Sequence, residues 1–127
     1  MNTNFKIVLA VVAGAALGGA AMQALHAQAK PKAYSVIETE VLDAAALAAY
    51  LPPIEAAVRA AGGRIFTAGG RTIAFVGEPP KRVAIAEWDS LEQAQAFVNS
   101  AAFKNLAPQR DKATKVIRNY AVEATAN

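Results

Sequence analysis

Residues 82–100 read RVAIAEWDSLEQAQAFVNS, and two periodicities meet in the middle of this stretch. Arg82 to Trp88 is a short run with the composition of a strand, and Asp89 or Ser90 then supplies a side-chain oxygen suited to cap a helix. Glu92 and Gln93 stand where a capping box needs them. Leu91, Ala94, Phe97 and Val98 recur at helical spacing as one buried side, and Asn99-Ser100 ends the pattern. A strand running directly into a capped amphipathic helix is a β-α unit, and the rest of the chain can be read outward from it.

Upstream, Gly77-Glu78-Pro79-Pro80 is a loop. Arg64 to Ala68 and Arg71 to Val76 are short apolar runs on either side of Gly69-Gly70, the pattern of a hairpin. Further back, Leu47, Tyr50, Leu51, Ile54, Val58 and Ala61 form a single helical stripe, opened by Asp43 and stopped by Gly62-Gly63. Pro52-Pro53 falls inside it, so a kinked or broken helix is expected. Tyr34 to Val41 alternates as a half-buried strand, with Ser35, Ile37, Thr39 and Val41 on one face and Tyr34, Val36, Glu38 and Glu40 on the other. Downstream, a short helical turn through Phe103 and Leu106 is closed by Pro108, and Lys115 to Val122 forms the last strand. This β-α-β-β-α-β order predicts an α+β fold of ferredoxin-like type, an antiparallel sheet with both helices on one face. The bare face carries Val36 or Ile37, Phe66, Ala84 or Ile85, and Val116 with Tyr120. That set is too apolar to leave in water, and two-fold pairing with a second copy is the simplest cover, so a homodimer is predicted.

The chain has 127 residues, room for one ordinary domain, and a net charge of +3 spread in ones and twos, which argues against a nucleic-acid partner. It has no cysteine and a single histidine, His26. The N-terminus has the tripartite order of an export signal. Lys6 is a positive start, Ile7 to Ala21 is uncharged and apolar, and Gln23, His26 and Gln28 turn polar before Lys30-Pro31-Lys32. Ala27-Gln28-Ala29 offers small residues for cleavage after Ala29, and cleavage after Ala27 is a second possibility. Residues 1–29 are therefore expected to be a secretory signal and residues 30–127 the exported domain, secreted or periplasmic. The competing reading is a membrane anchor at residues 7–29, which as a helix would reach about 34 Å.

Residues 30–127 contain neither His nor Cys. That excludes Ser-His-Asp and Cys-His nucleophile systems, His-ligated haem and ordinary zinc sites, so no metal and no cofactor is expected. Chemistry is left to carboxylates, Lys, Arg, Tyr, Ser/Thr and the backbone.

Several elements recur in a fixed order: Asp43 after the first strand, Tyr50-Leu51-Pro52, Gly62-Gly63-Arg64, Gly69-Gly70-Arg71, and Lys81-Arg82 leading into Glu87. Ser90-Leu91-Glu92-Gln93-Ala94 follows, then Phe97, Ser100, Phe103, Leu106, Pro108 and Arg110. In these the chain from Tyr34 onward resembles the DUF1330 family, small proteins of the dimeric α/β-barrel superfamily without an established activity. The resemblance implies two sheets packed face to face, with clefts between sheet and helices that in sister families house cofactor-independent oxygenases, isomerases or haem enzymes. Trp88 stands where the family pattern has phenylalanine, and the reading of Arg110 as a site residue rests on the resemblance.

The candidate pocket residues are Tyr34, Glu38, Arg64, Glu87, Trp88 and Arg110. Glu38, Glu40 and Glu87 can project carboxylates into a dimer cleft for proton abstraction, or simply pair with Arg64, Arg82 or Arg118. The Gly-Gly-Arg sequences can form a nest for an anion, or serve as a helix stop and a turn. Tyr34, Tyr50, Trp88 and Tyr120 can line an aromatic pocket, or fill core and dimer contacts. Two functions follow. The first is a homodimeric module that binds a small molecule or only assembles. The alternative is a cofactor-independent isomerase or oxygenase acting on a small aromatic or carboxylated molecule through Arg, Glu and Tyr. Mass spectrometry of the protein recovered from an extracellular or periplasmic fraction should show a chain starting at Lys30, or at Gln28 for the second cleavage site; an intact Met1 terminus there overturns cleavage.

Overall fold

The structure, a computed structural model, describes residues 30–125. The expected export segment, residues 1–29, with Lys6, Ala27 and His26, lies outside the described residues. The alternation read between Tyr34 and Val41 forms β1, Ala33–Val41, an inner strand of the sheet. It pairs antiparallel with β3, Arg82–Trp88, on one side and with β4, Thr114–Glu123, on the other. With β2, Arg64–Ala68, on the far side of β3, the sheet order is β2-β3-β1-β4. This is the expected ferredoxin-like arrangement.

The first helix, α1, spans Ala44–Ala60, and the Asp43 carboxylate caps it by accepting from the Ala46 amide at 2.8 Å. It runs unbroken through Pro52 and Pro53, so the expected break does not occur. The prolines remove the donors for the carbonyls of Ala48 and Ala49, and both of those residues are exposed, so water can satisfy them. Buried Tyr50 and Val58 hold the helix to the sheet on either side of the pair. The stop is a Schellman motif: Gly62 adopts φ +89°, its amide donates to the Arg59 carbonyl at 3.0 Å, and the Gly63 amide donates to Val58 at 2.9 Å.

The hairpin is where the fold departs from expectation. Arg71 to Val76 is not a strand; β2 pairs with β3, and residues 69–81 form a long connection. Gly69, at φ +102°, turns the chain out of β2, and the Thr72 hydroxyl donates to the Pro80 carbonyl at 2.9 Å. Among the described residues nothing packs on the apolar run, which leaves Ile73, Phe75 and Val76 at 78%, 92% and 95% exposure.

After β3, Ser90 caps α2, Leu91–Asn99, by accepting from the Gln93 amide, while the Gln93 side chain accepts from the Asp89 amide at 2.8 Å. Two short helices follow, α3, Ala101–Lys104, and α4, Ala107–Ala113. Pro108 opens α4 rather than closing the preceding turn, because a residue without an N–H loses nothing at a helix start.

Bulges decide which residues share a face. On β4 the register slips between Glu38 and Thr39 of β1, so Ile117 is the extra residue and Val116 opposes Thr39. Val116 thus leaves the row of Tyr120, against the expected pairing. The open face carries Val36, Ile85 and Tyr120 in one row, with Phe66, at a second bulge, against Tyr34 at 5.9 Å between ring centroids.

The core lies between the other face and the helices. Ala33, Ala86, Val58, Ala94, Phe97 and Trp88 form it, and Trp88 is its one large, fully buried side chain, at 2% exposure. The indole N–H donates to Ser35 Oγ at 2.9 Å, and its ring lies 5.1 Å from Phe97. A Cβ on Gly63 would stand 2.7 Å from Val58 Cγ1 and 2.8 Å from the Trp88 ring. Gly63→Ala should therefore overpack this junction and destabilise the fold by about 1–3 kcal/mol, read as a fall in Tm; an unchanged Tm contradicts the packing described.

Candidate functional site

The inner row of β3 reads Arg82, Ala84, Ala86, Trp88, and β1 offers Ser35, Ile37 and Thr39 beside it. Small residues on the sheet and alanine-rich helices leave space that Trp88 fills at one end only. The remainder is a cavity of about 120 Å³, walled by Ile54, Val58, Ile65, Trp88, Phe97 and Phe103. Its opposite end is polar, with Thr39, Tyr50, Arg82, Arg110 and Thr114.

Each polar group is placed by local structure. Arg82 opposes Thr39 in the β1–β3 ladder, and its Nη1 reaches Thr39 Oγ1 at a long 3.5 Å. Its Nη2 is out of water and has no hydrogen-bond partner among the described residues. Burial holds the Arg82 pKa below its usual value, although the group stays cationic. Arg110 sits on α4, which is joined to the end of β1 by the Leu42 amide donating to Ala113 at 2.9 Å. Its guanidinium lies 5.3 Å from the Phe103 ring centroid, and its Nε donates to Asp111 at 3.0 Å. Tyr50 projects from α1; burial raises its phenol pKa, against the pull of the Arg110 and Arg82 charges, so it is held as a neutral donor. Glu55 also borders the cavity and pairs with Arg59 at 3.6 Å.

The six sequence-predicted residues divide between the two faces of the sheet. Trp88 and Arg110 line the cavity. Tyr34, Arg64 and Glu87 meet on the open face, where the Glu87 carboxylate accepts from Arg64 Nη2 at 2.9 Å and from the Tyr34 hydroxyl at 3.3 Å. Lys32 Nζ stands 3.8 Å from Glu87 and bonds Asp89 at 2.6 Å, which raises the Lys32 pKa and lowers that of Asp89. Glu38 is held apart from that group by Arg118 in a two-pronged pair, which raises the Arg118 pKa. Glu40 bonds Lys81 at 2.7 Å, which lowers its pKa. The carboxylates of the open face are thus matched by cations of the same chain, and neither Glu38 nor Glu87 reaches the cavity. The Gly-Gly-Arg sequences serve as the helix stop at Gly62-Gly63 and the exit from β2 at Gly69-Gly70.

Sequence reasoning named Tyr50 as a possible pocket residue but missed Arg82, Thr39 and Thr114 as its companions beside Arg110. A signal was present: Arg82 falls in the same alternating row as Ala84, Ala86 and Trp88, so a charge was already assigned to the buried side of a strand. Among the described residues no group of three His, Cys, Asp or Glu side chains gathers as metal donors, and no helix is long and apolar enough to cross a membrane.

An antiparallel sheet with helices on one face and a chamber between the layers defines a ferredoxin-like α+β protein. Residues 32–125 match the family described as a domain of unknown function, DUF1330, and the chain belongs to that family. No curated protein matches the sequence. Among solved structures it is similar to a protein of unknown function from Rhodopseudomonas palustris, with 16% identity, 77% of this chain and 85% of the other covered, and a TM-score of 0.61. It is also similar to a cofactor-independent oxygenase from Streptomyces nogalater, with 15% identity, 76% and 96% covered, and a TM-score of 0.58. A dimeric protein of unknown function with a ferredoxin-like fold from Bacteroides fragilis matches at 12% identity, 73% and 96% covered, and a TM-score of 0.52. At these identities the likeness is one of fold.

The geometry of Arg82 gives a stability test. Arg82→Met keeps an unbranched apolar stem and removes a partly desolvated cation with an unsatisfied Nη2, so the variant should be stabilised by about 1 kcal/mol, equivalent to roughly 4–8 °C in Tm for a domain of this size. A fall in Tm would mean that the guanidinium is satisfied within the free protein.

Proposed function

We propose that this DUF1330 protein is an exported homodimer that binds a small, largely apolar molecule between its sheet and its helices. The observation that carries the reading is the cavity beside Trp88, lined mostly by aliphatic and aromatic side chains, with its guanidinium groups gathered toward the Thr39 end. Apolar cavities of roughly 150 Å³ take up benzene-sized molecules, which sets the scale of the ligand. The homodimer reading is supported by the apolar row on the open face, by the exposed side chains of residues 69–81, and by the dimeric fold relative. Export rests on the tripartite N-terminal sequence.

The alternative, a cofactor-independent isomerase or oxygenase, has Tyr50, Arg82, Arg110 and Glu55 at the cavity. Neither Glu38 nor Glu87 is available to it as a base, since both lie across the sheet in ion pairs. Binding is therefore the reading the geometry favours.

Light scattering at micromolar concentration should give twice the protomer mass, and a clean monomer overturns the dimer. Benzene or indole should raise the Tm saturably, and Val58→Trp, which fills the cavity, should abolish that response while leaving a folded protein by circular dichroism. A wild-type protein indifferent to both compounds overturns the binding reading.

A further inference from the structure

The reading of the cavity as a ligand chamber leaves open what its polar end recognises. The walls are apolar, yet the far end holds two guanidinium groups, a neutral phenol and two threonine hydroxyls. Every ionisable group bordering it can be accounted for. Glu55 is turned to Arg59, and Asp111 beside the cavity is engaged by Arg110. Tyr50 is held uncharged. Arg82 alone has no carboxylate partner among the described residues, and its Nη2 is buried with nothing to donate to.

A half-buried guanidinium whose Nη2 is out of water with nothing to donate to is destabilising, and the fold had an inexpensive alternative in an apolar residue continuing the row of Ala84, Ala86 and Trp88. Its position is intelligible if the missing acceptor arrives with the ligand. A planar fork of donors fits a carboxylate, or an enolate of similar shape, better than it fits a neutral oxygen. Tyr50 can add a hydroxyl donor and Arg110 a second positive field, while Trp88 and Phe97 at the other end offer flat aromatic surface. An inorganic anion would use the first group and leave the walls idle, whereas a neutral hydrocarbon would do the reverse.

Resting on the chamber reading, we propose that the ligand is a small aromatic or aliphatic monoanion, its carboxylate on Arg82 with Tyr50 and Arg110 beside it and its apolar body toward Trp88.

The test compares benzoate, benzamide and benzene on the full chain at neutral pH, by calorimetry or by chemical-shift titration. Benzoate should bind at least about tenfold more tightly than its neutral isostere benzamide, the advantage of a charge-assisted over a neutral hydrogen bond in a dry site. In Arg82→Met the benzoate preference should vanish while benzamide and benzene are still bound. The melting temperature of R82M reports separately whether the variant is folded. Equal binding of benzoate and benzamide to the wild type, or a preference that survives in R82M, overturns the monoanion assignment and leaves the chamber reading intact. Failure of all three probes to bind overturns the chamber itself, and the assignment with it.

Discussion

The seat of Trp88 is the constraint on which the rest depends. Its indole is fixed at three points: the N–H on Ser35, one face near Phe97, and an edge pressed on the bare backbone of Gly63. That last contact ties β3 to the end of α1, so the helix stop and the sheet share one packing joint. Because the neighbouring sheet positions are alanine and serine, one bulky ring carried by the sheet separates the layers at its own end, and at the other end the sheet offers Arg82 and Thr39 in its place. The chamber is the geometric remainder of a single large residue among small ones.

The two faces of the sheet handle charge in opposite ways. On the open face, acids and bases alternate between adjacent strands and satisfy one another, Glu38 with Arg118, Glu87 with Arg64, Glu40 with Lys81, in pairs that water and salt screen. Toward the helices the same kind of side chain, Arg82, is partly desolvated and left with one weak partner, Thr39. A cation in water contributes little wherever it stands, but in the interior its field is strong and its unmet donors are costly. Position relative to the sheet, more than residue type, separates the matched charges from the unmatched one here.

The architecture was largely legible because its elements announce themselves locally. Alternation in β1, the Asp43 and Ser90 caps and the Gly62-Gly63 stop each depend on a few neighbouring residues. Arg71 to Val76 departs from its expected strand because its apolar character has no target among the described residues, and hydrophobicity alone does not say what a segment packs against. Pro108 has two local meanings, the end of one helix or the start of the next, and the turn before it decides. The site was less legible. Parity along a strand places Glu38 and Glu87 on one face and Arg82 on the other, but which face the helices cover is a tertiary outcome. The Ile117 bulge changes parity along β4, which removed Val116 from the row of Tyr120.

That bulge has a consequence for how copies of this chain can meet. β4 is an outer strand of the sheet, and a straight, ten-residue edge would offer a template on which another strand could add, and another after it. An inserted Ile117, with Lys115 and Arg118 flanking it, twists and charges that border where a regular ladder would have to begin. Growth into a continuous ribbon is thereby discouraged, and the broad surface of the sheet is left as the place where a second copy would sit. A contact made there through a two-fold axis would consume itself, so an assembly built that way would close at two.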